Sequence, residues 1–322
     1  MHKPTNDFLL FSGSSHPTLS QQVAKHLNVP LSSIEINKFP DGEIGVQIVD
    51  SVRGQDVFVL QSIAVDPNYY LVELLIIIDA LKRSSAKTIN VITPYYGYSR
   101  QDRKDKPRVP ITAKLVANLL TAAGVNRLIT LDLHTSQTQG FFDIPVENLY
   151  ARPLLIEAFG QYITKNVIVV TPDIGSIKLG RSYSEQLQVG MAIVDKQRIS
   201  PTKIKDITVI GDVKDKDVLL ADDMCTTGIT LALAAKACQE KGARAIYAAV
   251  THGLFVLNAI EVIEQSPILA LLVSDTIPIN GKVLQSKKIT VVSIAPLIAK
   301  AIHCILSKES ITSLYDIDGC NI

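Results

Sequence analysis

Tryptophan is absent from this 322-residue chain, and aromatic residues make up only 6% of it. Its interior must therefore be built mainly from Ile, Leu, Val and Ala. Cysteine is scarce as well. The four cysteines (Cys225, Cys238, Cys304 and Cys320) are widely spaced and form no CxxC pair, so neither a disulfide framework nor a zinc site is indicated. That pattern fits a reducing, cytoplasmic setting. Net charge is nearly absent too, at a formal +1. Bulk electrostatics then gives no reason to expect nucleic acid or a membrane as partner, and any anion site must be local. The N-terminus lacks the apolar region of a secretion signal. The longest apolar run, near Leu74–Ile78, is far too short to span a bilayer. No low-complexity segment occurs.

What is present is a chain of two-domain length that is 47% hydrophobic. Short β-rich runs are read at Phe8–Phe11, Val57–Gln61, Ile89–Thr93, Leu128–Leu131, Val167–Thr171, Val218–Ala221, Ala245–Val250, Leu269–Val273 and Ile289–Ser293. Between them, helices are read at Pro17–Leu27, Tyr69–Arg83, Ala113–Ala123, Arg152–Tyr162, Ile177–Leu187, Ile229–Lys241, Leu257–Glu264 and Pro296–Ser307. Most strands are continuous apolar runs rather than alternating ones, the mark of parallel strands covered on both faces. The fold class is α/β. Residues 123–135 echo residues 241–253: in each, a helix-ending Gly lies ten residues before a His at a strand end. This suggests one α/β unit present twice, in residues 1–150 and 151–322, joined near 148–152. The polar tail after Asp316 is expected to fray.

The most informative stretch is Leu220–Thr230. An apolar strand runs into Asp222 and Asp223, then Thr226-Thr227-Gly228, then a helix that includes Thr230. Backbone N–H groups, hydroxyls and a helix N-terminus at one point form a phosphate site. Two carboxylates beside it suit a pair of sugar hydroxyls. The plainer reading of the same residues is an N-cap followed by a solvated helix start.

Other constellations are weaker alone. Asp132 and His134 end a strand, where two-residue alternation points them the same way. Thr171-Pro172-Asp173 ends another. Together they offer carboxylates and an imidazole to a divalent cation carrying phosphates, or else bond local backbone. The segment Tyr95–Arg108 mixes tyrosines, basic residues and acids, as in a polyphosphate clamp, a nucleic-acid patch or a solvated loop. Lys196 and Arg198 precede a polar stretch with the character of a mobile loop able to close on a transferring phosphoryl group, or of an ordinary basic loop. Phe39, Asp41 and Glu43 lie in a turn between extended runs. The ring suits stacking on a base and the acids suit its amino group, although spacing alone favours a simple hairpin.

Along nearly its whole length the chain resembles the ribose-phosphate pyrophosphokinase family. The matching segments are Lys38–Glu43, Asp50–Gly54, Glu73–Arg83, Pro94–Pro110, Asp132–His134, Gln139–Tyr150, Lys196–Arg198, Gly211–Lys216, Asp222–Thr230 and Thr251–Phe255. The resemblance implies two tandem phosphoribosyltransferase-like domains, each with a mainly parallel sheet flanked by helices. The C-terminal part would pack back on the first domain. It implies Mg²⁺-dependent transfer of the diphosphoryl group of ATP to ribose 5-phosphate, in a cytoplasmic hexamer of dimers. By position, Phe39, Asp41, Glu43, Arg100, Gln101 and His134 would meet ATP. Asp132, His134 and Asp173 would serve the metal. Asp222, Asp223, Thr226, Thr227, Gly228 and Thr230 would hold ribose 5-phosphate, and Lys196 and Arg198 would be catalytic. Ser51, Arg53, Ser136, Gln139, Ser310 and Thr312 fall where the family has an allosteric anion site. The family pattern has an acid at Thr226, Gly at Ile229 and Ser176, a small residue at Ile174, and Ser-Gly at Val256-Leu257. Such departures imply altered kinetics or a non-catalytic regulatory paralogue. A phosphoribosyltransferase is a third reading, opposed by the duplication and by Arg100–Arg103.

Overall fold

A computed structural model of the chain describes the backbone of residues 8–162, 166–200 and 203–314, and their side chains except at 196–206 and 313. Cysteine 320 and the tail expected to fray lie outside these residues. The chain divides into two compact units.

The first unit contains β1 (Phe8–Ser12), α1 (Pro17–Leu27), β2 (Ile34–Lys38), β3 (Ile44–Ile48), β4 (Asp56–Leu60), α2 (Pro67–Arg83), β5 (Thr88–Thr93), α3 (Thr112–Ala123), β6 (Arg127–Leu131) and β7 (Val146–Leu149). Its five-stranded sheet has the order β1-β4-β5-β6-β7 and is parallel throughout. Consecutive Val57, Phe58, Val59 and Leu60 are all fully buried. Side chains alternate faces along a strand, so both faces of the sheet are covered. The helices start where local chemistry dictates. Pro17 opens α1, with the His16 side chain accepting the Leu19 N–H, and Asn28 ends it in the left-handed conformation. Asp66 caps α2 ahead of Pro67. Strands β2 and β3 form a separate antiparallel hairpin.

The second unit contains α4 (Arg152–Phe159), β8 (Val167–Thr171), α5 (Ile177–Leu187), β9 (Gly190–Ser200), β10 (Lys203–Ile210), β11 (Asp217–Cys225), α6 (Ile229–Glu240), β12 (Ala245–Gly253), α7 (Ala259–Gln265), β13 (Ala270–Ser274), α8 (Gly281–Gln285) and β14 (Ile289–Val292). Its seven-stranded sheet has the order β10-β9-β8-β11-β12-β13-β14, parallel except for edge strand β10, which pairs antiparallel with β9. Val218, Leu220, Ala248, Val250 and Leu271 from its centre pack with Leu231, Ala234 and Cys238 of α6. The final helix α9 (Ala295–Ser307) belongs to the first unit, where it packs against α1.

The echoed segments occupy the same place in the two sheets. Gly124 ends α3 ahead of β6, and Gly242 follows α6 ahead of β12; β5-β6-β7 and β11-β12-β13 are corresponding runs of parallel neighbours. Three features depart from the expectations. The supposed mobile loop at Lys196 and Arg198 is strand: Lys196 pairs with Ile207 and Arg198 with Ile204. Buried Val194 and Val209 anchor that ladder, and backbone bonding carries it on into the polar residues. Strand β11 runs four residues beyond Ala221, since Met224 pairs with His252 and Cys225 with Gly253. Asp132 follows the end of β6 with φ of 38°, so strand alternation does not orient Asp132 and His134 together. Among the described residues no helix is long and apolar enough to cross a membrane, and Cys225, Cys238 and Cys304 are free, buried thiols.

Candidate active site

Because β11 continues to Cys225, Asp222 and Asp223 are strand residues rather than turn residues. Adjacent strand residues face opposite sides. Asp222 is buried, whereas Asp223 is half-buried. Asp222 Oδ1 accepts the Ser176 hydroxyl at 2.6 Å and the Asp223 N–H at 3.0 Å. Ser176 ends a short 3₁₀ turn after β8, in which Asp173 Oδ1 accepts the Ser176 N–H at 3.2 Å. Burial and the Asp223 carboxylate, with a smaller contribution from Asp173, push the Asp222 carboxyl up to about 7 against its hydrogen bonds. A carboxyl this poorly solvated gains from a ligand that brings hydroxyl donors.

Backbone hydrogen bonds hold the loop after Asp223. The Cys225 carbonyl accepts the N–H groups of Leu254 and Phe255, at 3.0 and 3.2 Å, and the Thr226 carbonyl accepts that of Val256 at 2.9 Å. The Gly228 N–H bonds the Cys225 sulfur, and burial pushes that thiol up to about 12, so Cys225 is protonated and inert at neutral pH. Gly228 then opens α6 with φ of 75°. A Cβ at Gly228 would lie 3.0 Å from the Ala259 carbonyl oxygen. Both the left-handed backbone and the close approach require glycine here. Gly228→Ala is expected to destabilise the protein by about 1–3 kcal/mol, measured by urea denaturation; an unchanged midpoint would mean that this turn carries no strain. Half-buried Thr226, Thr227 and Thr230 flank the N-terminus of α6. Ile174, Ile229 and Leu257, the bulky residues that depart from the family pattern, are 59%, 50% and 86% exposed. They lie on the surface and do not fill the loop.

In the first unit, the Phe39–Glu43 turn closes through Phe39 N–H to the Glu43 carbonyl (2.8 Å), Gly42 N–H to the Phe39 carbonyl (2.9 Å) and Glu43 N–H to Asp41 Oδ1 (3.1 Å). The Phe39 ring rests on Gly45, where a Cβ would come within 2.9 Å of it, yet its other face is exposed. A cavity of about 350 Å³ lies between this turn and α2, lined by Gly42, Glu43, Ile44, Asn68, Tyr69, Val72 and Ile76. The Tyr98 hydroxyl donates to Asn68, bringing the segment that carries Arg100 and Gln101 to the same end of α2. Arg100 and Gln101 are exposed. Gln101 is fixed at its carbonyl by the Ala113 N–H and at its side chain by the Thr112 hydroxyl. Asp102 accepts the Thr135 hydroxyl at 3.0 Å, tying this segment to the loop of exposed His134. Asp132 is buried beside it.

The residues of the expected anion site lie on three segments of the first unit. Arg53 donates to Ser85 at 3.2 Å and sits near Ser51; Gln139 donates to the Ser136 carbonyl; Ser310 accepts the Thr312 N–H. Among the described residues no three His, Cys, Asp or Glu side chains converge as a metal centre. Lys196 and Arg198 have paired backbones in β9, and their side chains lie outside those described. Sequence reasoning missed two contacts. Ser176 was visible only as a departure from a glycine, and the Asp102–Thr135 bond crosses 33 residues with no local signal.

Residues 8–124 match the N-terminal domain of ribose phosphate pyrophosphokinase, and residues 196–316 match the phosphoribosyl synthetase-associated domain. The chain is 47% identical to the ribose-phosphate pyrophosphokinase of Wolinella succinogenes, over 96% of this chain and 99% of that one. It is 46% identical to that of Caldanaerobacter subterraneus, over 98% and 100%. A crystal structure of phosphoribosylpyrophosphate synthetase from Mycobacterium smegmatis superposes with a TM-score of 0.88 at 40% identity, covering 94% of this chain and 100% of that one. With full-length likeness in both sequence and fold, the chain belongs to the ribose-phosphate pyrophosphokinase family.

Proposed function

We propose that this chain transfers the diphosphoryl group of ATP to the anomeric hydroxyl of ribose 5-phosphate, giving 5-phosphoribosyl 1-diphosphate and AMP. The observation that carries this reading is the buried carboxyl of Asp222 near the end of β11, four residues before a backbone-held turn and six before Gly228, which opens α6. Asp222 and Asp223 accept the ribose hydroxyls. Thr226, Thr227, Gly228 and Thr230 bind the 5-phosphate through hydroxyls, N–H groups and the helix dipole. Phe39 stacks on adenine, Asp41 and Glu43 accept from its amino group, and Arg100, Gln101 and His134 meet the nucleotide.

Chemistry follows from position. The anomeric oxygen attacks the β-phosphorus in line, the bond to the α-phosphate oxygen breaks, and AMP leaves. Lys196 and Arg198 neutralise the charge that develops on the transferring group. Asp132, His134 and Asp173 would serve Mg²⁺, which when bound would supply neutralisation of phosphate charge. The donor set fits it: Mg²⁺ keeps several waters and takes one or two carboxylates plus phosphate oxygens, so Asp132, Asp173 and His134 need not form a closed cage. We extend the proposal to self-association as a hexamer of dimers in the cytoplasm. We further assign anion regulation to Ser51, Arg53, Ser136, Gln139, Ser310 and Thr312.

The test is AMP release from ATP and Mg²⁺ by purified protein, with and without ribose 5-phosphate. Sugar-dependent AMP is the expected result. ATP binding with no AMP in either condition would overturn the catalytic assignment.

A further inference from the structure

The hydroxyl of Ser176 has two acidic neighbours and one proton to give. Its oxygen is 2.6 Å from Asp222 Oδ1 and 3.3 Å from Asp173 Oδ1. Asp173 Oδ1 already accepts the Ser176 backbone N–H at 3.2 Å. The shorter contact, to a carboxyl with few other donors, takes the proton. Asp222 Oδ1 thus receives two donors, the Ser176 hydroxyl and the Asp223 N–H at 3.0 Å. Two donors on one oxygen fix the plane of the carboxyl and leave Oδ2 to accept a sugar hydroxyl. Asp222 is held by the backbone of β11, whereas Ser176 is held by the 3₁₀ turn after neighbouring β8. The bond therefore fixes a side chain on one strand end from the next, and a glycine at 176 has no means to make it.

We propose that Ser176 is a positioning residue for ribose recognition, orienting the Asp222 carboxyl through its hydroxyl. This rests on the assignment of Asp222 to the sugar. Since Ser176 acts through Asp222, its loss falls on the sugar and not on the nucleotide. A hydrogen bond to a charged group is worth roughly tenfold to a hundredfold in binding. Part of that reaches the ligand when only the orientation is lost.

The experiment compares wild type with Ser176→Ala, Ser176→Gly and Ser176→Thr. Steady-state kinetics are run in both substrates. Calorimetric binding of ribose 5-phosphate is measured with Mg²⁺ and α,β-methylene ATP, which the reaction cannot cleave. The Ala and Gly variants are expected to raise KM and Kd for ribose 5-phosphate about tenfold. KM for ATP should stay within twofold and kcat within threefold, and Thr, which keeps the hydroxyl, should restore the wild-type values. Unchanged sugar binding in the Ala variant, or equal shifts for both substrates, overturns the inference while leaving the enzymatic reading intact. Wild type that binds the sugar without turnover overturns the catalytic reading alone, and the calorimetric comparison still decides the role of Ser176. Wild type that does not bind the sugar overturns both.

Discussion

Asp222→Asn is expected to lower kcat/KM for ribose 5-phosphate by about a hundredfold to a thousandfold while making the ligand-free protein more stable at alkaline pH. The functional loss follows from charge. A ribose hydroxyl donating to a carboxylate makes a charge-assisted bond, roughly twice as strong as one to a neutral amide, and asparagine also presents an NH₂ that repels a donor. A deficit of about 3–4 kcal/mol gives that factor. The stability gain follows from the raised pKa of the carboxyl. The folded-state carboxyl sits at about 7, against a reference of 3.8, because of burial and then the charge of Asp223. Between these two values the native state holds a proton that the unfolded state has released. Stability contributed by this group is therefore full below pH 3.8 and falls as pH rises to 7; above that the whole penalty remains. Its upper bound is roughly 4 kcal/mol. Asparagine retains an oxygen for the Ser176 hydroxyl and the Asp223 N–H, so it escapes part of that penalty. Urea denaturation should show the variant about 1–3 kcal/mol more stable than wild type at pH 8, and the two nearly equal at pH 4. A variant that is less stable at pH 8 would refute the buried-charge account, and one with full activity would remove Asp222 from the site.

Glu73→Ala is expected to produce the largest loss of stability, through a residue given no part in the proposed chemistry. Glu73 lies in α2 and is fully buried. Its Oε1 accepts the Ser14 N–H and the Gln61 side-chain N–H, each at 2.8 Å, and its Oε2 accepts the Ser14 hydroxyl at 2.5 Å. Gln61 in turn accepts the Ser15 N–H, at 3.1 Å. The network locks the loop after β1 to the end of β4 and to α2, and it demands Gly13, where a Cβ would come within 2.2 Å of the Gln61 side chain. Truncation removes the acceptor of one buried donor, the Gln61 amide, at about 1–3 kcal/mol, and of two donors on exposed Ser14 that water can satisfy at smaller cost. With the lost packing of the buried side chain added, a net loss of about 2–4 kcal/mol is expected. Far-ultraviolet circular dichroism during urea denaturation measures it, since the chain has no tryptophan for fluorescence. A loss below 1 kcal/mol would mean that the loop relaxes freely and that the network is not structural.

The sequence determined the class of fold and the family. Continuous apolar runs such as Val57–Leu60 and Val218–Ala221 specify parallel strands covered on both sides, because a strand with one wet face must alternate. Helix ends were legible at Pro17 and Asn28 of α1, whereas α2 starts at Pro67 behind its Asp66 cap, two residues before the expected Tyr69. The order Asp222-Asp223, then Thr226-Thr227-Gly228, then an alanine-rich helix marked the stretch proposed to hold the sugar phosphate, since its parts are contiguous in the chain. Short elements escaped. Strand β7 and helix α8 have too few residues to show a period, and the β9–β10 hairpin is built from polar residues held by a ladder that begins at buried Val194 and Val209.

Tertiary structure alone decided whatever depends on partners distant in sequence. Asp222 and Asp223 remain in strand because β12 continues beside them, and that continuation buries one acid more than the other. Ser176 reaches Asp222 across 46 residues, and Ser14 reaches Glu73 across 59. In the sequence, Glu73 is one polar position on an apolar helix and Ser176 is a glycine replaced. Local propensity and periodicity describe a residue's own segment. The energy of a buried carboxyl is set by the donors that another segment brings to it.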